Sequence, residues 1–279
     1  MVYKQDNLSA RDGIKLYVQS WEPETESRGV VCLVHGLGEH SGRYLHLAEF
    51  LSHENYTLFA FDLRGHGKSQ GKRGHTPSIS VLFDDIDQVL SESILRYNGK
   101  PHFLYGHSLG GLLVIAYAIQ YHPQITGIIS TGPIFRTAFK PPIWKTSLGR
   151  LIRGILPAFA MNNEVDPHVL SHDQQIVRAY VDDPLVHDRI SARLGIDMLD
   201  LGIWALEHAS EVNTPLFLMH AGDDRLCSVE ASQEFAARAG EICTLKIWEG
   251  LYHEIHNEPE KNLVFNTALA WLDGKCSKI

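Results

Sequence analysis

The residues Gly-His-Ser-Leu-Gly at positions 106–110 constrain the fold of this chain more than any other stretch. They follow a short apolar run, 103–105, and begin a stretch with helical periodicity, 109–121. The pattern predicts a sharp turn from a strand into a helix, where glycines are needed because side chains would collide with neighbouring backbone. A serine held on such a turn is typical of a hydrolase nucleophile, so Ser108 is the candidate. The alternative is a glycine-rich turn with an inert serine.

Short runs rich in β-branched and aromatic residues alternate with helical patterns along much of the chain. The runs that predict strands are 14–19, 30–34, 57–61, 103–105, 125–130, 216–220 and 245–248. The stretches that predict helices are 44–53, 78–96, 109–121, 229–239 and 259–272. Several runs are continuously apolar, which is typical of parallel strands covered by helices on both faces. The pattern predicts an α/β fold with a mostly parallel central sheet flanked by helices.

The alternation stops between 132 and 213, a stretch with helical patterns, several prolines and no predicted strand. We interpret this segment as a helical cap inserted into a sheet domain whose two parts are 1–131 and 214–279. Its beginning, 131–163, contains five basic residues and no acidic one, whereas the whole chain has 25 basic and 33 acidic residues and a formal charge of −8. The overall charge argues against a nucleic-acid partner, which would need a basic footprint.

Neither the termini nor the cysteines indicate export or membrane insertion. The first residues lack the apolar core of a secretory signal, and no run of about 18 apolar residues predicts a spanning helix. Cys32, Cys227, Cys243 and Cys276 lack C-x-x-C spacing, so we expect no disulfide framework or zinc site and a cytoplasmic setting. The last four residues, Cys-Ser-Lys-Ile, match prenylation and peroxisomal signals poorly, and we interpret them as an ordinary tail.

A serine nucleophile needs a histidine base and a carboxylate that orients it, which follow in the order Asp, His in chains with this turn. Asp224 lies in the loop after the predicted strand 216–220, and His253 lies in the loop after 245–248. Because the carboxyl ends of parallel strands share one edge, both side chains can meet Ser108 there. Asp223 is an alternative partner and His256 an alternative base. The spacing from His253 to His256 is one residue shorter than in H-E-x-x-H, so we expect no metal.

A second glycine-rich turn, 35–38, follows the apolar run 30–34. Such a turn can aim a backbone N–H at a developing oxyanion, and the amide of Leu109, directly after the candidate nucleophile, can supply the second donor. A simple turn is the alternative. A site of this kind needs neither a metal nor an organic cofactor.

Five motifs together closely resemble the monoglyceride lipase and lysophospholipase family of α/β-hydrolase-fold serine hydrolases. They are HGLGEHSGRY at 35–44, DLRGHGKS at 62–69, GHSLGG at 106–111, DRLC at 224–227 and EGLYH at 249–253. The resemblance implies that Ser108, Asp224 and His253 form a catalytic triad, with oxyanion amides from Leu37 and Leu109. It also implies that Cys227 lines a substrate pocket and that five further residues border the polar end of that pocket: Glu39, Arg43, His107, Tyr180 and His256.

The resemblance implies a serine esterase that hydrolyses monoacylglycerols or similar single-chain lipid esters through an acyl-enzyme. Alternatives are a lysophospholipase, a general carboxylesterase that prefers short acyl chains, and a non-catalytic binding protein. The segment 134–161 combines many large apolar residues with only basic charge, so we expect it to dock peripherally on anionic membranes and to cover an apolar tunnel to Ser108. A buried cap helix with a solvated basic face is the alternative. The sequence predicts no oligomeric state.

Overall fold

The computed structural model of the protein describes residues 1–277, so the end of the tail motif at 276–279 lies outside the described residues. Its strands are β1 (Val2–Ser9), β2 (Lys15–Glu22), β3 (Gly29–Val34), β4 (Tyr56–Phe61), β5 (His102–His107), β6 (Gly127–Thr131), β7 (Ala160–Asn162), β8 (Arg189–Ser191), β9 (Leu216–Ala221) and β10 (Cys243–Trp248). Its α-helices are α1 (Leu45–His53), α2 (Ile79–Arg96), α3 (Leu109–Tyr121), α4 (Ile143–Ile155), α5 (Gln174–Asp182), α6 (Ala192–Glu207), α7 (Val229–Ala239) and α8 (Lys261–Cys276).

Eight of these strands form one sheet in the order β1-β2-β4-β3-β5-β6-β9-β10. β1 and β2 run antiparallel to their neighbours, and the strands from β4 to β10 in that order pair in parallel. The predicted α/β fold with a mostly parallel sheet is confirmed. The central strands β3, β4, β5 and β9 are buried along their entire length, because helices cover both of their faces.

Alternate side chains of each strand point to opposite faces of the sheet, and each face has its own core. In β3, Val30, Cys32 and Val34 pack in the core formed with α2, α3, α6 and α7. Val31 and Leu33 pack in the core formed with α1 and α8. The carboxyl ends of β3, β5, β9 and β10 lie at one edge of the sheet, and each leads into a loop that carries a predicted site residue.

Two parts of the observed structure were not predicted. β1 pairs with β2 over eight residues at the edge of the sheet, but it is almost entirely exposed and has no buried alternation. The expectation that 132–213 contains no strand is wrong, because β7 and β8 form an antiparallel pair of three residues each. Runs this short show no hydrophobic period in the sequence, and their pairing depends on tertiary contacts.

The segment between β6 and β9 contains α4, α5, α6 and the small β7–β8 sheet. α4 has no buried residue, whereas α6 places Leu194, Met198, Ala205 and Leu206 in the core shared with α3. The division into 1–131, 132–213 and 214–279 stays a prediction. Among residues 1–277, none of the helices combines the length and the apolar character that a membrane span requires.

Candidate active site

Ser108 occupies the turn between β5 and α3, with φ at 54° and ψ at −115°. A positive φ is strained for a residue with a side chain, so the surrounding packing must hold it. A Cβ at Gly106 would lie 2.3 Å from the carbonyl oxygen of Gly110, and a Cβ at Gly110 would lie 2.0 Å from that of Val34. Glycine is therefore required on both sides of Ser108, which explains the spacing of the motif.

The loops after β9 and β10 bring Asp224 and His253 together. Nδ1 of His253 lies 2.6 Å from Oδ2 of Asp224, and both side chains are buried. His253 lines the same cavity as Ser108. Asp223, the alternative carboxylate, is exposed to solvent. The geometry therefore pairs His253 with Asp224 and leaves Nε2 of the imidazole as the nitrogen that is available to the cavity.

The carboxylate of Asp224 is held on both oxygens. Oδ1 accepts hydrogen bonds from the amides of Leu226 at 2.8 Å and Cys227 at 2.9 Å, and Oδ2 lies 3.1 Å from Nε2 of the buried His220. Burial alone would raise the pKa of Asp224, but the charge of His253 and the hydrogen bonds from His220 and His253 outweigh burial and lower this pKa well below its usual range. Asp224 therefore stays ionised and presents a fixed negative charge to the imidazole.

The charge state of His253 depends on the groups around it. Burial lowers the pKa of His253, but the charge and hydrogen bond of Asp224, with smaller effects of Glu254 and Glu39, raise it above its ordinary value. The ring of His107 lies 4.7 Å from that of His253. Burial and the nearby charge of His253 lower the pKa of His107 to about 4. At neutral pH, His107 is therefore an uncharged ring beside a histidine that can accept a proton.

The loop after β3 approaches Ser108 closely. A Cβ at Gly36 would lie 3.3 Å from Cβ of Ser108, and the amide of Gly36 donates a 2.6 Å hydrogen bond to Oε1 of Glu39. Leu37 and Leu109 both line the cavity with Ser108. Leu109 is the first residue of α3, so its N–H is one of those that a helix N-terminus leaves without an intrahelical acceptor. Two main-chain donors can thus face an oxyanion at Ser108.

These groups border a cavity of about 520 Å³, counted together with its opening to solvent. Four of the predicted substrate contacts line it: Glu39, His107, Tyr180 and Cys227. The rest of its wall is largely apolar and includes Ile134, Val165, Leu170, Met198 and Leu226. We interpret the part of the cavity lined by Glu39, His107 and Tyr180 as its polar end and the part lined by Met198 of α6 as its apolar end.

Arg43 and His256, the other two predicted contacts, lie behind the cavity wall. The guanidinium of Arg43 lies 4.7 Å from the ring centre of Tyr180, and its side chain is 9% exposed. His256 is fully buried and stacks on Tyr44 with 4.7 Å between ring centres. Neither of its ring nitrogens has a hydrogen-bond partner within residues 1–277. Both side chains belong to the layer that supports the polar end of the cavity.

The chain is similar to known proteins over nearly its whole length. The family model described as serine aminopeptidase, S33 (Hydrolase_4) matches residues 25–260. A monoacylglycerol lipase of Mycolicibacterium smegmatis is 32% identical over 93% of each chain. An uncharacterised abhydrolase domain-containing protein of Dictyostelium discoideum is 38% identical over 98% of this chain, which spans 29% of that relative. The crystal structure of Paleococcus ferrophilus monoacylglycerol lipase has a TM-score of 0.86 and 36% identity, covering 93% of this chain and 99% of that one. The chain belongs to the monoglyceride lipase and lysophospholipase family.

Membership of this family confirms the resemblance that the five motifs predicted. One charged residue of the site, Glu254, was not among the predicted contacts, although it directly follows His253 and is buried. Both of its carboxylate oxygens accept hydrogen bonds of 2.7 Å from Arg43. Its position directly after the candidate base is the signal that could have found it, because a carboxylate buried beside that base needs a cation as partner.

Asp224, Cys227 and His253 also bring possible metal-ligand atoms within 4.8 Å of one another. Nδ1 of His253 is already in contact with Asp224 at 2.6 Å. Burial and the charge of Asp224 raise the pKa of the Cys227 thiol well above its ordinary value, and metals bind the thiolate rather than the thiol. This donor set fits a hydrogen-bonded pair packed against a neutral thiol better than a metal centre.

Proposed function

We propose that the chain is a serine esterase that hydrolyses monoacylglycerols, with Ser108 as nucleophile, His253 as base and Asp224 as the carboxylate that orients the imidazole. The observation that carries the proposal is the 2.6 Å contact between Nδ1 of His253 and Asp224, in the same cavity as a serine held at a φ of 54°. The monoacylglycerol lipases of M. smegmatis and P. ferrophilus among its relatives support the substrate class.

In the proposed reaction, Nε2 of His253 takes the proton of the Ser108 hydroxyl as the oxygen attacks the ester carbonyl. The tetrahedral oxyanion accepts hydrogen bonds from the amides of Leu37 and Leu109. His253 then gives the proton to the departing glycerol oxygen, and an acyl-serine remains. Water, deprotonated by His253, attacks this second ester and forms a second tetrahedral intermediate. As the bond to the Ser108 oxygen breaks, His253 returns the proton to that oxygen and the fatty acid is released. The charge of Asp224 stabilises the imidazolium in both halves of the reaction.

The cavity also supports a substrate with one acyl chain. Met198 lines the cavity at its apolar end, and it lines a larger apolar groove of about 1170 Å³, open space included, under the cap. Trp144, Leu148 and Ile152 of α4 face this groove opposite Ile196 of α6. We infer that the acyl chain runs from Ser108 past Met198 into the groove, while the polar end of the cavity holds the glycerol.

Ser108→Ala tests the nucleophile and a substrate panel tests the substrate class. The variant should lose nearly all hydrolysis and keep the thermal unfolding midpoint of the parent, because a half-buried hydroxyl is exchanged for hydrogen. The parent should hydrolyse a monoacylglycerol faster than a lysophospholipid or a short p-nitrophenyl ester. Activity retained by Ser108→Ala contradicts the nucleophile, whereas a preference for either of the other esters contradicts the substrate alone.

The helix α4 exposes an apolar face that fits a lipid surface. Four of its large side chains are between 60% and 83% exposed: Ile143, Trp144, Leu151 and Ile155. Exposed apolar area concentrated on one helix is typical of an interfacial contact. We infer that this face docks peripherally on membranes beside the groove, so that a monoacylglycerol can pass from the bilayer into the protein.

The basic residues of the cap contribute less to this docking than their number in the sequence indicates. Four of the five pair with acidic residues outside the segment 131–163: Arg136 with Glu234, Lys145 with Glu164, Arg150 with Asp200, and Arg153 with Asp197. An ion pair offers little net charge to a headgroup. We therefore expect docking to depend mainly on apolar burial and only weakly on anionic lipid or salt.

Vesicle co-sedimentation tests this docking. The parent should bind phosphatidylcholine vesicles, and replacing Ile143 and Trp144 by Ser should abolish binding, because each large apolar side chain contributes about 2 kcal/mol when it is fully buried. Leu95→Ser is the matched control, since Leu95 is 76% exposed on α2, far along the chain from the cap. Equal binding by the parent and the cap variant would contradict docking through α4.

A further inference from the structure

An arginine whose side chain is 9% exposed joins the two loops that carry the proposed oxyanion donor and the proposed base. Arg43 lies on the short 3-10 turn Ser41–Tyr44, just after the loop that contains Leu37. Its Nη1 donates to Oε2 of Glu39 at 2.8 Å and to Oε1 of Glu254 at 2.7 Å. Its Nη2 donates to Oε2 of Glu254 at 2.7 Å. One guanidinium is thus bound by a carboxylate from each loop.

Glu39 connects Arg43 to the loop after β3, which carries the proposed oxyanion donor Leu37. Its Oε1 accepts hydrogen bonds from the amide of Gly36 at 2.6 Å and from the hydroxyl of Tyr44 at 2.8 Å. The side chain is almost fully buried, so water does not compete for these bonds. Gly36 directly precedes Leu37, and a fixed Gly36 amide therefore restricts the direction of the Leu37 N–H.

Glu254 connects Arg43 to the loop after β10, which carries the proposed base His253. It directly follows His253, is almost fully buried, and also accepts a 2.7 Å hydrogen bond from Nδ2 of Asn257. Its amide donates to the carbonyl oxygen of Leu170 at 2.8 Å. With both the main chain and the carboxylate held, the loop has little freedom to rotate the imidazole of His253.

We propose that Arg43, together with Glu39 and Glu254, is a positioning cross-link that sets the Leu37 amide and the His253 imidazole relative to each other. The proposal rests on the proposed function, because it assumes that these two groups act on one ester. A planar guanidinium that binds a carboxylate through two nitrogens fixes direction as well as distance. Buried charges are costly unless they are paired, which makes this arrangement rigid once it has formed.

The cross-link also places charge beside the base. Its two carboxylates face one guanidinium, so a negative charge remains next to an imidazole that Asp224 and His107 also face. Burial would raise the pKa of Glu254, but Arg43 outweighs burial and lowers it, so Glu254 is ionised. Glu254 in turn helps to raise the pKa of His253. The charge and the geometry of the cross-link can therefore be tested by different variants.

The pH dependence of fluorophosphonate labelling at Ser108 separates these two contributions without any choice of substrate. Glu254→Gln removes the charge and replaces one of the two acceptor oxygens by an NH2 group, so His253 loses its proton at lower pH and labelling also slows. The acid limb, the part of the pH–rate profile where labelling falls as His253 gains a proton, should therefore move to lower pH by about half a pH unit to one pH unit. Arg43→Lys keeps the positive charge but removes the planar guanidinium that binds both carboxylate oxygens of Glu254. It should slow labelling about tenfold, the usual effect of losing a hydrogen bond between charged groups, with the acid limb unmoved.

Two further variants complete the test. Glu254→Asp keeps the charge on a shorter side chain and should behave like Arg43→Lys. Asp85→Asn is the matched control. Asp85 is a buried carboxylate on α2 that accepts hydrogen bonds from Nε and Nη2 of Arg64 at 2.6 and 2.7 Å. This control should lower the thermal unfolding midpoint and leave the acid limb in place.

A double-mutant cycle tests whether the loops are joined through Arg43. Glu39→Gln and Glu254→Gln should each slow labelling, and the double variant should be slowed less than the product of the two factors, because both act on one guanidinium. Multiplicative losses would overturn the cross-link, and an unmoved acid limb in a folded Glu254→Gln would overturn its charge contribution to the base. Failure of the parent to label at Ser108, with Ser108→Ala as reference, would instead reject the proposed function.

Discussion

Met198 offers the sharpest test of where the acyl chain lies. It lines both the cavity and the groove, so a larger side chain at this position should block the proposed route of the acyl chain from one to the other. Each methylene that enters an apolar groove contributes about 0.8 kcal/mol, or about fourfold in kcat/KM. The four methylenes that separate an octanoyl from a dodecanoyl chain then contribute at most about 3 kcal/mol, which raises kcat/KM about 200-fold.

We expect Met198→Trp to reduce the dodecanoyl-to-octanoyl ratio of kcat/KM towards one while the octanoyl rate changes little. Both monoacylglycerols are assayed below their solubility limits, and fatty-acid release is measured. Ile203→Trp is the control, because Ile203 lies on the same helix and is 49% exposed. A folded Met198→Trp with the chain-length ratio of the parent would refute the route through residue 198.

Three further predictions concern the turn and the proposed base. Gly110→Ala should destabilise the fold by about 1–3 kcal/mol in chemical denaturation, because its Cβ would lie 2.0 Å from a carbonyl oxygen. Gly154→Ala, where a Cβ meets no atom within 4 Å, should not. Asp224→Asn should lower kcat about 10⁴-fold, whereas Asp223→Asn at the exposed neighbour should leave it within about twofold; equal effects would contradict the pairing. Hydrolysis should decline as the pH falls through the pKa of His253, which lies above 6.5, and Asp224→Asn should move that limb to lower pH in a pH–rate profile.

The central part of the fold was predictable because its signals are local. The predicted strand 216–220 is observed as Leu216–Ala221, and the predicted helices 109–121 and 229–239 are observed with these bounds. A strand covered on both faces must be apolar throughout, and this leaves a clear pattern in the sequence. The glycines around Ser108 are equally local, since each avoids a collision within one turn.

The polar support of the site was not predictable in the same way. Glu254 and Arg43 are 211 positions apart in the sequence, and their contact exists only because the loops after β3 and β10 meet at one edge of the sheet. The family resemblance implied that both Glu39 and Arg43 border the substrate pocket. In the structure, Glu39 lines the cavity, whereas Arg43 lies behind it.

The charge of the cap shows why composition along the chain can misrepresent a surface. The basic run suggested an electrostatic attraction to anionic headgroups, since no acidic residue occurs within 131–163. Folding packs α4 against α6, and the spacing of Asp197 and Asp200 on α6 sets both carboxylates against Arg150 and Arg153. These cations are therefore paired with α6, whereas Ile143, Leu151 and Ile155 of α4 stay exposed to solvent. A surface that looks cationic in sequence is, for this reason, expected to bind lipid through its apolar area.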